Sequence, residues 1–103
     1  MTILSYKSSR VSTRINPTLV LKILCNSSRY TLIKSLLSAR KDLCVQEIAE
    51  LASLSQSATS HQLAYLEARG VVHSVRMGKT KCYFLTNTPI ARRIARIIEV
   101  LSS

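Results

Sequence analysis

The sequence predicts a small, mainly α-helical domain carrying one β-hairpin, in the order α-α-β-α-α-β-β-α. Three observations predict it. Apolar residues recur at helical spacing through most of the chain, two alternating runs flank a glycine near its end, and only two prolines and two glycines punctuate 103 residues. A chain of this length supports one modest core.

Asn16 before Pro17 is a cap residue followed by proline at the first helical position, so a helix opens there. Leu19, Val20, Leu21, Ile23 and Leu24 make it apolar nearly all round, the pattern of a helix buried on more than one side. After Ser27 and Ser28, Tyr30, Ile33, Leu36 and Leu37 mark a second helix. "DLCV" reads as a short extended piece. Ile48, Leu51 and Ala52 line a third helix, although Gln46 near its start is a weak cap. Leu54 and Ser55 form a tight turn into a fourth helix, which Gly70 ends. "VVHSV" and "KCYFL" then read as strands joined at Gly78, and Asn87 and Thr88 before Pro89 open the last helix. A helix, a very short turn, a second helix and a hairpin make a winged helix-turn-helix spanning residues 16–103, preceded by a basic arm over residues 1–15.

Fifteen Lys and Arg against five Asp and Glu give a formal charge of +10. A field of that sign over so small a surface calls for an anionic partner, nucleic acid first, then an anionic membrane surface or an acidic protein. No acidic residue precedes Asp42, whereas Lys7, Arg10 and Arg14 crowd the amino end. No apolar run is long enough to cross a bilayer and none is flanked like a secretion signal, so a cytoplasmic protein with no membrane partner is expected. The two histidines fall on different elements, with no carboxylate pair or Gly-rich phosphate loop beside them, which speaks against an enzyme.

On the fourth helix, Thr59, Leu63 and Leu66 form one narrow stripe fit for a core, while Ser57, His61, Ala64 and Ala68 fall opposite and Ser60 flanks them. A helix entering a major groove needs this slim outer face, with hydrogen-bonding groups towards its amino end. Gln56, Ser57, Ser60, His61, Gln62 and Tyr65 are therefore the candidate readers of double-stranded DNA. Arg76, Lys79 and Lys81 around Gly78 are candidate phosphate or minor-groove contacts of the wing. The alternative is a winged helix that grips protein or RNA, for which large apolar anchors on the outer face would be the sign.

"LSQSATSHQLAYLEARGVV" followed by "RMGKTKCYFL" resembles the ArsR/SmtB family of winged-helix repressors, with Leu54, Ser55, Gln56, Ser60, His61, Leu63, Leu66 and Gly70 on its recurrent pattern. The resemblance runs from about residue 16 to the end. It implies a homodimeric repressor joined through its first and last helices, with half-sites about 34 Å apart or a multiple of it. Leu19 and Ile23 on the first helix, with Ile90, Ile94, Ile97, Ile98 and Leu101 on the last, are the candidate seam. The stripe on the last helix supports this independently, being more apolar surface than one small domain obviously needs.

Ala58 stands where many members have Thr, which removes one hydrogen-bonding group from the reading helix. The family's metal sensors carry Cys-Val-Cys at the third helix, where this chain has Cys44, Val45 and Gln46, or Asp, His and Glu ligands on the last helix, where it has only Glu99. No metal and no other cofactor is expected on that ligand count. Cys25, Cys44 and Cys82 are odd in number and widely spaced, so reduced thiols are the expectation. Cys82, beside Lys81, is the best placed of them for a redox role, and a thiol-responsive repressor stays open as an alternative.

Overall fold

In the computed structural model, which describes residues 15–102, Asn16 caps α1 (Pro17–Leu24) by accepting the Thr18 backbone N–H at 3.0 Å. Pro17 takes the first helical position, where a missing donor costs nothing. The arm assigned to residues 1–15 lies, Ile15 apart, outside the described residues. Asn26 repeats the device for α2 (Ser27–Ala39), accepting the Arg29 N–H at 3.0 Å. The two-residue β1 (Leu43–Cys44) runs straight into α3 (Val45–Ala52). Gln46 is not its cap. Cys44 holds that position, and the Glu47 carboxylate reaches back to accept the Cys44 N–H at 2.8 Å.

Ser53 leaves α3 in the left-handed region at φ 57°, and Ser55 opens α4 (Gln56–Ala68) by accepting the Ala58 N–H at 3.1 Å. α4 ends in a Schellman turn. Gly70 supplies the positive φ of 78° and donates to the Glu67 carbonyl at 3.1 Å, while Val71 donates to the Leu66 carbonyl at 3.0 Å. β2 (Val72–Met77) and β3 (Thr80–Leu85) pair antiparallel from Val72 opposite Leu85 to Met77 opposite Thr80. That register leaves Gly78 and Lys79 as the loop, with glycine at φ 67° in its first position. β1 adds to the other edge of β3, giving sheet order β1-β3-β2. Thr88 caps α5 (Pro89–Ser102) by accepting the Ala91 N–H at 3.2 Å. The order of elements is the one the sequence predicts.

Every element contributes to a single core, whose fully buried members include Ile23, Leu32, Ile33, Ile48, Leu63, Leu66, Val71 and Ile94. This corrects three of the seam residues. Ile23, Ile94 and Ile98 are buried within the protomer and fasten α1 and α5 to the domain, leaving no surface for a second copy. An apolar stripe broad enough for two neighbours has two flanks, and spacing along one helix does not say which flank meets its own core. Leu19, Ile90 and Ile97 are half-buried against that core, whereas Leu101 is 64% exposed. Leu21 and Val100, each 67% exposed, join it on the outer surface of α1 and α5.

Leu63 sits at the centre of α4's buried stripe and has no solvent to collapse into. Leu63→Ala should lower stability by about 2–5 kcal/mol. Urea unfolding would show it as a lower midpoint with an unchanged slope.

Candidate nucleic-acid interface

α4 buries one side only. Thr59, Leu63 and Leu66 are fully buried, and the Thr59 hydroxyl, the one polar group among them, donates to the Ser55 carbonyl at 2.8 Å. Satisfied in this way, it adds no penalty to the core. The helical repeat then turns Gln56, Ser57, Ser60, His61, Ala64 and Ala68 outward, and all six are exposed. The resulting face carries hydroxyl, amide and imidazole groups near its amino end, with alanine as its only apolar side chain. Such a surface admits close approach to base edges and offers both donors and acceptors.

Gln62 and Tyr65, grouped with the base readers from sequence, are placed differently. Both are half-buried and occupied by Arg29 of α2. The Arg29 guanidinium donates to the Gln62 side-chain carbonyl at 3.2 Å, and to the carbonyls of Ile23 and Lys22 at 3.2 and 3.0 Å. Those two carbonyls belong to the last turn of α1, where no intrahelical donor remains for them. The same group lies 4.4 Å from the centroid of the Tyr65 ring, and the Arg69 guanidinium lies 3.6 Å from it. Gln62 and Tyr65 therefore tie α4 to α1 and α2 through Arg29 and fix the roll of its outward face. Arg29 is the residue that sequence reasoning missed, because nothing local marks an arginine whose partner on α4, Gln62, stands 33 positions away.

The wing is held to the far end of α4. Glu67 accepts the Ser74 N–H at 3.3 Å and the Ser74 hydroxyl at 2.9 Å. The hydroxyls of Thr86 and Thr88 both donate to the Gly70 carbonyl, Thr88 at 2.6 Å. Tyr83, packed beneath the hairpin, has its phenol pushed above the usual tyrosine range by burial and, secondarily, by the Glu67 carboxylate. At the tip, Arg76, Lys79 and Lys81 are all exposed. Gln56, Ser60, Ala64, Lys79 and Lys81 line one groove between α4 and the wing, with Cys44 and Glu47 of the α3 start on its wall. Of the sequence-predicted readers and wing cations, Gln56, Ser60, Lys79 and Lys81 are brought together on this groove, while Ser57, His61 and Arg76 are exposed outside its lining.

The expectation of three reduced thiols is corrected. Cys44 and Cys82 stand opposite each other in the β1–β3 register and are joined as a disulfide, while Cys25 is free and exposed. A two-residue strand does not announce its partner, so a contact across 38 positions was invisible from spacing. Among the described residues, no three of His, Cys, Asp and Glu gather closely enough to hold a metal ion.

Residues 26–74, which carry the helix-turn-helix and the start of the wing, match the family described as "Bacterial regulatory protein, arsR family". The chain belongs to the arsR family. It is 36% identical over 78 residues to a Synechocystis protein named transcriptional repressor SmtB homolog, covering 76% of this chain and 58% of the relative. It spans little more than half the length of the curated relatives it matches. Among solved structures it is similar to HlyU from Vibrio cholerae, with 30% identity, TM-score 0.71 and coverage of 84% of this chain and 92% of that one. It is also similar to a homodimeric winged helix-turn-helix DNA-binding domain from Mycobacterium bovis, with 26% identity, TM-score 0.68 and coverage of 82% and 77%.

Arg29 holds three helices through a planar fork of donors. Arg29→Ala should cost about 1–3 kcal/mol by leaving acceptors unpaired. Arg29→Lys should recover little of that loss, since an ammonium cannot serve the same diverging partners. Thermal melts of the three proteins at one concentration would check the ranking.

Proposed function

We propose that the protein is a sequence-specific DNA-binding transcriptional repressor acting as a homodimer. The observation that carries this reading is the joint exposure of a slim polar face on α4 and of the wing cations, with Lys79 and Lys81 lining one groove with it. Gln56, Ser57, Ser60 and His61 of each protomer read base edges in a major groove. Arg76, Lys79 and Lys81 hold the flanking phosphates or minor groove, and the basic residues of the arm, Lys7, Arg10 and Arg14, add to the attraction. Gln62 and Tyr65 act through the position of the helix.

The dimer is formed by the outer sides of α1 and α5, where Leu21, Val100 and Leu101 offer water an apolar surface that Leu19, Ile90 and Ile97 extend inward. An isologous seam covers such a patch on both copies at once. It sets two α4 helices on successive grooves of a pseudo-palindromic site. Repression follows from occupying a promoter, as the name of the Synechocystis relative supports. The setting is the cytoplasm, on the nucleoid, and no described helix is long and apolar enough to cross a membrane.

Duplexes selected from a random pool at two ionic strengths would supply an operator. On that operator, Ser60→Ala with His61→Ala should reduce binding to the level of unrelated DNA, each lost base contact being worth about 1–3 kcal/mol of discrimination. Retained discrimination would mean that another element reads the bases. Lys79→Ala with Lys81→Ala should weaken all sequences alike and flatten the salt dependence by about 0.9 per lost phosphate contact. Leu101→Glu should turn the dimer into a monomer in analytical ultracentrifugation and weaken operator binding with it.

A further inference from the structure

We propose that the Cys44–Cys82 disulfide is a redox control on DNA binding, built into the joint between the wing and the helix-turn-helix; this rests on the reading that the chain binds DNA. Cys44 is the cap residue of α3, the first helix of the helix-turn-helix, and Cys82 lies in β3 directly after Lys81 of the wing. The bond therefore ties the wing's cationic strand to the scaffold that carries α4. Pairing between β1 and β3 is otherwise two residues long, Leu43 with Tyr83 and Cys44 with Cys82, so the covalent link reinforces a short ladder along that edge. Its position matters as much as its presence. Cys44 lines the same groove as Gln56, Ser60, Lys79 and Lys81, so a change at the bond is felt where DNA is gripped.

A regulator that works on DNA works among thiol reductants that keep most cysteines reduced. Disulfides in such compartments are mostly transient, catalytic or redox-sensing. Access favours exchange from one side, since Cys44 is half-buried and Cys82 only 2% exposed. A thiolate of a dithiol reductant attacks Sγ of Cys44, the S–S bond breaks, and Cys82 leaves as a thiolate that takes up a proton. The second thiol of the reductant then displaces Cys44, leaving two protein thiols and the reductant as its cyclic disulfide. Two electrons and two protons have moved to the protein. Unbonded, the two sulfurs separate to van der Waals contact, β3 moves away from the α3 cap, and Lys79 and Lys81 lose their fixed distance from α4. The oxidised form is the tighter DNA binder, because its wing is ordered before contact.

The test uses the full chain with Cys25→Ser, which removes the exposed thiol able to cross-link two copies. Alkylation under denaturing conditions, followed by mass measurement, counts free thiols before and after dithiothreitol. Fluorescence anisotropy with a duplex selected on the oxidised protein gives affinity and salt slope for both forms. Reduction is expected to expose both thiols and to weaken binding by roughly three- to tenfold, the cost of ordering one or two wing side chains on DNA. The salt slope should fall by about one or two as wing lysines disengage. Reoxidation should restore both values, and Cys44→Ser with Cys82→Ser should match the reduced form and ignore dithiothreitol.

Equal affinity and slope in the two forms, tighter binding on reduction, or two free thiols before any reductant would each overturn the proposal. Failure of both forms to bind any duplex in dilute buffer would instead strike the DNA-binding reading and take this proposal with it. Reduction by dithiothreitol tests the unbonded form without relying on the Cys44→Ser, Cys82→Ser variant to fold.

Discussion

The outward placement of the polar face of α4 depends on Thr59, Leu63 and Leu66 leaving water together. Their spacing puts them on one side of α4, and the core takes all three because the Thr59 hydroxyl finds the Ser55 carbonyl inside the same helix. With that side committed, the helical repeat leaves no choice about the other. Serine, glutamine and histidine face outward because leucine faces inward, and a bulkier outer face would be compatible with the same core but not with a groove. Arg29 refines the result. By joining Gln62 to the end of α1 and lying over Tyr65, it resists rotation of α4 about its own axis, which burial of three residues alone restrains only loosely.

The wing inherits its position from the same helix. Glu67 at the last turn of α4 grips Ser74 of β2, and the Gly70 carbonyl just beyond gathers the hydroxyls of Thr86 and Thr88. These contacts bind the base of the hairpin to the end of the reading helix, while the Cys44–Cys82 bond binds its other edge to α3. The exposed cations at the tip thus extend from a base anchored on two sides. For a surface that carries so much positive charge, anchoring has an electrostatic use. It holds the cations in one arrangement instead of letting mutual repulsion spread them.

Much of this was legible from residues alone because the signals were local. Asn16 with Pro17, Ser55, Gly70, Gly78 and Thr88 each act on backbone within a few positions, through a cap hydrogen bond or a positive φ, and each stands where it was expected. The stripe of α4 was equally readable, since one short helix with three large apolar positions admits one orientation. α5 was harder. Its apolar stripe is wide enough for a core and a partner together, so Ile94 and Ile98 could not be separated in advance from Leu101. Contacts between distant residues were out of reach altogether, as the β1–β3 pairing and the Arg29–Gln62 hydrogen bond show.

The residues by themselves therefore determined the kinds and order of the elements, their ends, the outward face of α4 and the positive field, because these follow from backbone preference, side-chain period and charge count. Only the tertiary structure decided which apolar flank each terminal helix spends on its own core, that Arg29 holds Gln62 and Tyr65, and that Cys44 meets Cys82. Those outcomes depend on how separate segments pack in three dimensions, and no periodicity along one segment encodes the distance to another.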